Sequence, residues 1–142
     1  MIALTDLALQ PQDSLTSLSD ISKRQGISLA YLEQLFVKLR RDDLVDSVRG
    51  PHGGYRLARP STEIRVVDVL AAVDETIDAK HLNANAAGAK SGSKAQSLTN
   101  RLWESMSAHV YVFLHQTRLS DIVNNDLVPC PALPTLLTVV DE

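Results

Sequence analysis

Residues 26–55 bring together side chains suited to gripping a polyanion and reading hydrogen-bond patterns. Tyr31, Glu33 and Gln34 fall on the polar side of a helix-length segment, with Ala30 beside them. A glutamine amide both donates and accepts, as an adenine edge requires. A carboxylate accepts from cytosine N4 and repels phosphate, so Glu33 sharpens selectivity instead of adding affinity. Ser28 and Lys38 flank this set with a hydroxyl and an ammonium, both suited to phosphate oxygens. Farther on, Arg49-Gly50-Pro51-His52-Gly53-Gly54 sets a permanently charged guanidinium on a glycine-rich tip. Gly50 and Gly53 let a backbone approach closely, and His52 is placed to meet phosphate. A cation on a thin loop suits a narrow minor groove, where negative potential is concentrated. The hairpin alone reads first as a solvated turn, and Glu33 and Gln34 have the lesser alternative of a solvated helix face. The elements before the hairpin decide for groove binding.

Those elements are a helix, a tight turn and a second helix. Leu18-Ser19-Asp20-Ile21-Ser22-Lys23-Arg24-Gln25 predicts a short amphipathic helix with Leu18 and Ile21 inward, and Gly26 breaks it. Ile27 packs the turn. Ser28 is placed to cap a second helix through its hydroxyl. Leu29, Leu32, Leu35, Phe36 and Leu39 recur at spacings of three and four and give that helix an apolar face. A helix set across a tight turn from its predecessor is the element that enters a major groove. Residues 44–48 and 55–59 alternate as two strands around the glycine-rich turn, forming a wing.

Residues 21–36 and 47–55 resemble the recognition helix and wing of the IscR-type winged helix-turn-helix regulators, the iron–sulfur cluster regulators grouped with NsrR and CymR. Val73-Asp74-Glu75 with Asp78-Ala79, Leu98-Thr99 with Leu102-Trp103, and residues 119–125 match the same pattern in order, so the resemblance covers nearly the whole chain. It implies a mainly α fold with a small β wing, double-stranded DNA as partner, a homodimer and no enzymatic activity. Ala30 departs from a serine common at that position. A basic segment that opens the first helix in the family is absent here, so that helix is expected to be N-terminally truncated.

The chain has 142 residues, 44% of them hydrophobic and only 4% aromatic, which allows one aliphatic-cored domain and an appendage. No apolar run reaches membrane-spanning length and no signal peptide opens the chain, so a cytoplasmic protein is expected. The net charge of −3 conceals a split. Residues 1–66 hold nine Lys/Arg against eight Asp/Glu, and residues 67–142 hold five against nine. Lys38, Arg40, Arg41, Arg49, Arg56, Arg59 and Arg65 cluster in one span, and local charge controls phosphate attraction.

The expected organisation is a winged helix-turn-helix domain over 1–75, a flexible loop over 76–97, a dimerisation helix and short final helix over 98–125, and a loose tail over 126–142. Met1 to Gln10 is apolar at helical spacing. Ser61 or Thr62 is expected to cap a short apolar helix over residues 66–73. Residues 78–97 are rich in Ala, Gly, Ser, Asn and Lys with no periodic face. Leu98, Leu102, Met106, Val110, Phe113 and Leu114 then form a long stripe, with Trp103 and Tyr111 on its shoulders. That stripe either packs on a second copy or folds back on its own winged domain.

The resemblance also implies a 2Fe–2S cluster held by three cysteines and a histidine. In this chain those positions fall on Leu82, on a cysteine-free stretch over 84–89, on Ser97 and on Asn100. Thiolates hold such clusters, and these residues do not replace them, so no cofactor is expected. Cys130 is the single cysteine, set between two prolines in the tail, and reads as an incidental thiol or a redox sensor. His81, His109 and His115 have no ligand partner at a fixed short spacing. No nucleophile-elbow or metal-hydrolase pattern is present. The sequence thus supports a cluster-free, homodimeric DNA-binding regulator, or a winged-helix interaction module that has lost DNA binding.

Overall fold

A computed structural model of the chain describes residues 1–74 and 92–127. It contains α1 (Ile2–Leu9), α2 (Leu18–Gln25), α3 (Leu29–Arg41), β1 (Val45–Val48), β2 (Gly54–Leu57), α4 (Val66–Ala72), α5 (Lys94–Gln116) and α6 (Leu119–Val123). The fold is mainly helical with one antiparallel pair, in the register Val45↔Leu57 to Val48↔Gly54.

The helix-turn-helix forms where the sequence predicts it. Ser17 caps α2 by accepting from the Asp20 N–H at 3.1 Å. Gly26 ends α2 at φ 65, a left-handed conformation, and its N–H donates to the Ser22 carbonyl. Ser22 Oγ then donates to the Ile27 carbonyl at 2.6 Å and holds the turn shut. Ser28 caps α3 through the Tyr31 N–H. Leu32, Phe36 and Leu39 are buried as expected, against Leu4, Leu7, Ile21, Leu44, Val45, Ile64 and Val69. Leu29 corrects the expected apolar face: it stands 40% exposed. It is the first residue of α3 and lies outside the buried core cluster.

A buried carboxylate braces α1 against α2. Asp6 accepts from Arg24 Nη2 at 2.6 Å, Arg24 Nε at 3.1 Å and Gln25 Nε2 at 2.6 Å. The Arg24 hydrogen bond holds the Asp6 carboxyl below its ordinary range, outweighing the opposing effect of burial. Both carboxylate oxygens have donors, which is how a carboxylate is tolerated at 5% exposure.

After the wing, residues 60–63 form a turn, with the Glu63 N–H donating to the Pro60 carbonyl at 2.8 Å. Neither Ser61 nor Thr62 caps α4. The helix starts at Val66, and Asp68 reaches back to accept from the Arg65 N–H at 3.3 Å. The long helix begins at Lys94, capped by Ser93, so residues 94–97 belong to it and not to a loop. Lys, Ala and Gln are good helix formers, and an apolar-period reading overlooks a polar first turn. The final helix belongs with the winged half. Val66 N–H donates to the Thr117 carbonyl and Leu119 N–H to the Ile64 carbonyl, while Leu119 is fully buried in the common core.

No residue of α5 is buried. Leu98 and Leu102 are 56% and 61% exposed, Met106 and Phe113 are also exposed, and Val110 is half-buried. Its own winged half therefore leaves the stripe uncovered among the described residues. No described helix is long and apolar enough to cross a membrane. His81, Leu82, residues 84–89, Cys130 and the expected tail from 128 onward lie outside the described residues.

Candidate nucleic-acid interface

The recognition helix α3 and the wing face each other across a concave surface of about 470 Å³. Glu33 and Leu29 come from α3, Arg49, Gly50 and Gly53 from the wing tip, and Ser17 and Ser19 from the start of α2. Arg40 and Ser47 close its floor. The wing is held in place from beneath. Tyr55 and Thr16 exchange both backbone hydrogen bonds, at 2.8 and 2.9 Å, and the Tyr55 ring meets Phe36 edge-on with centroids 5.0 Å apart. A fully buried α3 residue thus carries the wing strand.

The glycines of the tip divide by role. A Cβ on Gly53 would lie 2.1 Å from the Val48 carbonyl oxygen, and one on Gly54 would lie 2.8 Å from that of Thr16. The fold itself requires both positions to lack a side chain. Gly50 has open space around it, but its φ of 120 already calls for glycine. Gly53 therefore belongs to the site as its hinge, because its N–H closes the turn on the Gly50 carbonyl at 2.9 Å.

The structure splits the remaining predicted residues. Glu33, Arg49, Gly50 and Gly53 share the concavity, while Gln34 and Ser28 are exposed on α3 and at its cap, and His52 is exposed at the tip. Tyr31 lies outside it, over an apolar groove shared with Met1, Ile2, Ile27, Leu35, Val69 and Val73. Lys38 is not a free cation: its Nζ pairs with Asp74 Oδ2 at 2.9 Å. That hydrogen bond, with further attraction from Lys38 and Arg41, holds the Asp74 carboxyl below its ordinary range. In the sequence Arg40 stands in the basic cluster with no site role, and Ser17, Ser19, Leu29 and Ser47 are given none either. For Arg40 the signal was present: it follows Glu33 by two helical turns and so shares its face.

The predicted dimer residues Leu98, Leu102, Met106, Val110 and Phe113 all lie on α5, away from this surface. Ser97 and Asn100, at family ligand positions, are exposed on its first turns. A hydroxyl and an amide do not fit a site that needs thiolates, and the described residues contain no group of three His, Cys, Asp or Glu placed to hold a metal. His109 Nδ1 lies 2.7 Å from the Ser105 carbonyl oxygen and His115 Nε2 lies 3.0 Å from Arg65 Nη1.

A capped helix-turn-helix leading into a two-stranded wing, with the recognition helix and wing tip facing one concavity, defines a winged helix-turn-helix protein. The model of the Rrf2 family, described as an iron-dependent transcriptional regulator, matches residues 1–125, and the chain belongs to that family. It is 65% identical over 144 residues to the HTH-type transcriptional regulator IscR of Cereibacter sphaeroides, covering 100% of this chain and 93% of that protein. Its fold matches the solved structure of CymR, the global cysteine regulator of B. subtilis, with a TM-score of 0.69 at 27% identity, covering 86% of this chain and 88% of that one. The structure of T. potens IscR matches with a TM-score of 0.61 at 31% identity, over 87% of this chain and 80% of that one.

Proposed function

We propose that this chain is a sequence-specific DNA-binding transcriptional regulator of the IscR type that acts as a homodimer. The observation that carries the reading is the concavity, which sets Glu33 of α3 opposite Arg49 of the wing. In this reading α3 enters the major groove, Glu33 and Gln34 meet base edges, and Arg49 reaches the adjacent minor groove. Ser28 and His52 meet phosphates. Lys38 exchanges Asp74 for a phosphate only at the cost of that ion pair. The uncovered stripe on α5 supports a two-fold dimer, which presents two recognition helices to a two-part site. The alternative of a docking module without DNA binding leaves the Arg49-bearing wing unexplained.

The same proposal has the protein work without the three-cysteine cluster that the family resemblance implies, because the matching positions hold leucine, serine and asparagine. Anaerobic reconstitution with iron and sulfide tests this, with no charge-transfer absorption expected. A stable visible band with about two irons per chain or per dimer would show that other side chains supply the ligands. For DNA binding, selection of bound sequences from a random pool is expected to return a two-part consensus. Binding to it should weaken steeply with salt. A pool that stays random after repeated selection would sink the sequence-specific reading.

A further inference from the structure

Arg40 lines the concavity and makes a side-chain contact that phosphate attraction alone does not explain. It stands in the last turn of α3, and its Nη1 donates to Ser47 Oγ on β1 at 3.1 Å. This bond joins the solvent side of the recognition helix to the wing, while Phe36 and Tyr55 join them on the core side. Ser47 lies two residues before Arg49 and pairs in register with Tyr55. Whatever holds Ser47 therefore sets the direction in which Arg49 leaves the strand. Phe36 and the Thr16–Tyr55 backbone pair hold the wing from the core side. The Arg40–Ser47 bond adds a link on the opposite, solvent side, where these contacts do not reach.

We propose that Arg40 is a positioning residue that sets the pitch of the wing through Ser47. It thereby fixes the spacing between the base pairs read by Glu33 and the minor-groove step taken by Arg49. The inference rests on the DNA-binding reading. It differs from a plain phosphate contact, in which Arg40 would attract DNA of any sequence and Ser47 would be a bystander. The guanidinium suits the task because it keeps its charge at any ordinary pH and its planar fork is pre-organised. It also sits at the end of α3 that favours a cation.

The test compares Ser47→Ala, Arg40→Gln and the double variant. Each is measured on the selected site and on the same site with one base pair inserted between the two contacted steps, over a salt series. Ser47→Ala keeps every charge. The expected result is a loss of discrimination between the two sites of about three- to tenfold, the scale of one hydrogen bond, with an unchanged salt slope. The double variant should discriminate no worse than Arg40→Gln alone, as two halves of one contact do. Ser47→Ala indistinguishable from wild type would overturn the positioning role. So would a pattern in which only Arg40→Gln weakens binding, equally on both sites, with a salt slope lower by about 0.9, since that marks a phosphate contact. A wild type that binds neither site removes the DNA reading and the inference with it, whereas one that binds both sites equally overturns the inference alone.

Discussion

Helices α3 and α5 carry the same kind of sequence signal and meet opposite fates. Each has apolar residues at spacings of three and four. In α3 the stripe is answered within the chain: Leu32 and Phe36 have no exposed surface and Leu39 has 4%. In α5, at 23 residues the longest element described, nothing is buried. An amphipathic face states a demand for cover and is silent about where the cover comes from. For α3 the cover comes from neighbouring elements, because short connections bring α1, α2 and the wing around it. The end of α5 is tied down where residues 64–66 pair with 117–119, and Trp103, Val110 and Leu114 are half-buried. Leu98, Leu102, Met106 and Phe113 stay exposed among the described residues, which is the physical basis for proposing a second copy as their cover.

The comparison breaks first at the core. Phe36→Ala removes the ring that packs α3 and carries Tyr55, and should cost about 3–5 kcal/mol in urea unfolding. Leu102→Ala, on the uncovered stripe, should leave the unfolding of a dilute monomer almost unchanged. Equal losses would mean that α5 is covered by its own chain. Next comes the stripe itself. Leu102→Glu combined with Met106→Glu should give a monomer by sedimentation and weaken binding to a two-part site by about a hundredfold, through lost avidity. A wild type already monomeric at micromolar concentration contradicts the assignment.

Within the winged half, Arg49→Ala should weaken DNA binding by about 1–3 kcal/mol, whereas Glu33→Ala should relax base choice with little change in total affinity. Binding of Arg49→Ala at wild-type strength takes the wing out of the mechanism. The smallest effect expected is that of the Asp6 brace. Asp6→Asn should cost about 1–2 kcal/mol at neutral pH, less than for a fully buried pair because Arg24 is 42% exposed. The folded-state pKa of Asp6 is depressed, so its contribution is fully present above the ordinary carboxylate pKa and is lost as pH falls through the lower folded value. Thermal scans between neutral pH and about pH 3 should show wild type and Asp6→Asn converging only in acid. Convergence near neutrality would mean that the brace is not ionic.

Features that depend on near neighbours in the chain were legible from the start. Ser28 caps its helix, Gly26 breaks the one before, and the wing turns where Arg49 to Gly54 predicts, because caps and turns are decided within a few residues. Features that depend on distant partners were not. Lys38 reads as a phosphate contact until Asp74 is found beside it, and nothing near Asp6 in the chain announces that Arg24 and Gln25 converge on it. Leu119 looks like part of an appendage, yet pairing with Ile64 folds it into the core. Gly53 suggests room for a ligand, whereas the room is already taken by the Val48 carbonyl.

By itself the sequence determined the helix-turn-helix, the wing, their order and the type of side chain on the recognition helix, since period, capping and turn chemistry are short-range. It also determined that one chain cannot bring three thiolates together, because Cys130 is its single cysteine. Only the tertiary structure decided which of those side chains share a surface. Glu33, Arg40, Ser47 and Arg49 meet because Tyr55 bonds to Thr16 and packs on Phe36, a set of contacts between residues far apart along the chain. Periodicity records which way a residue faces on its own element. The angle at which two elements meet is settled by packing between them.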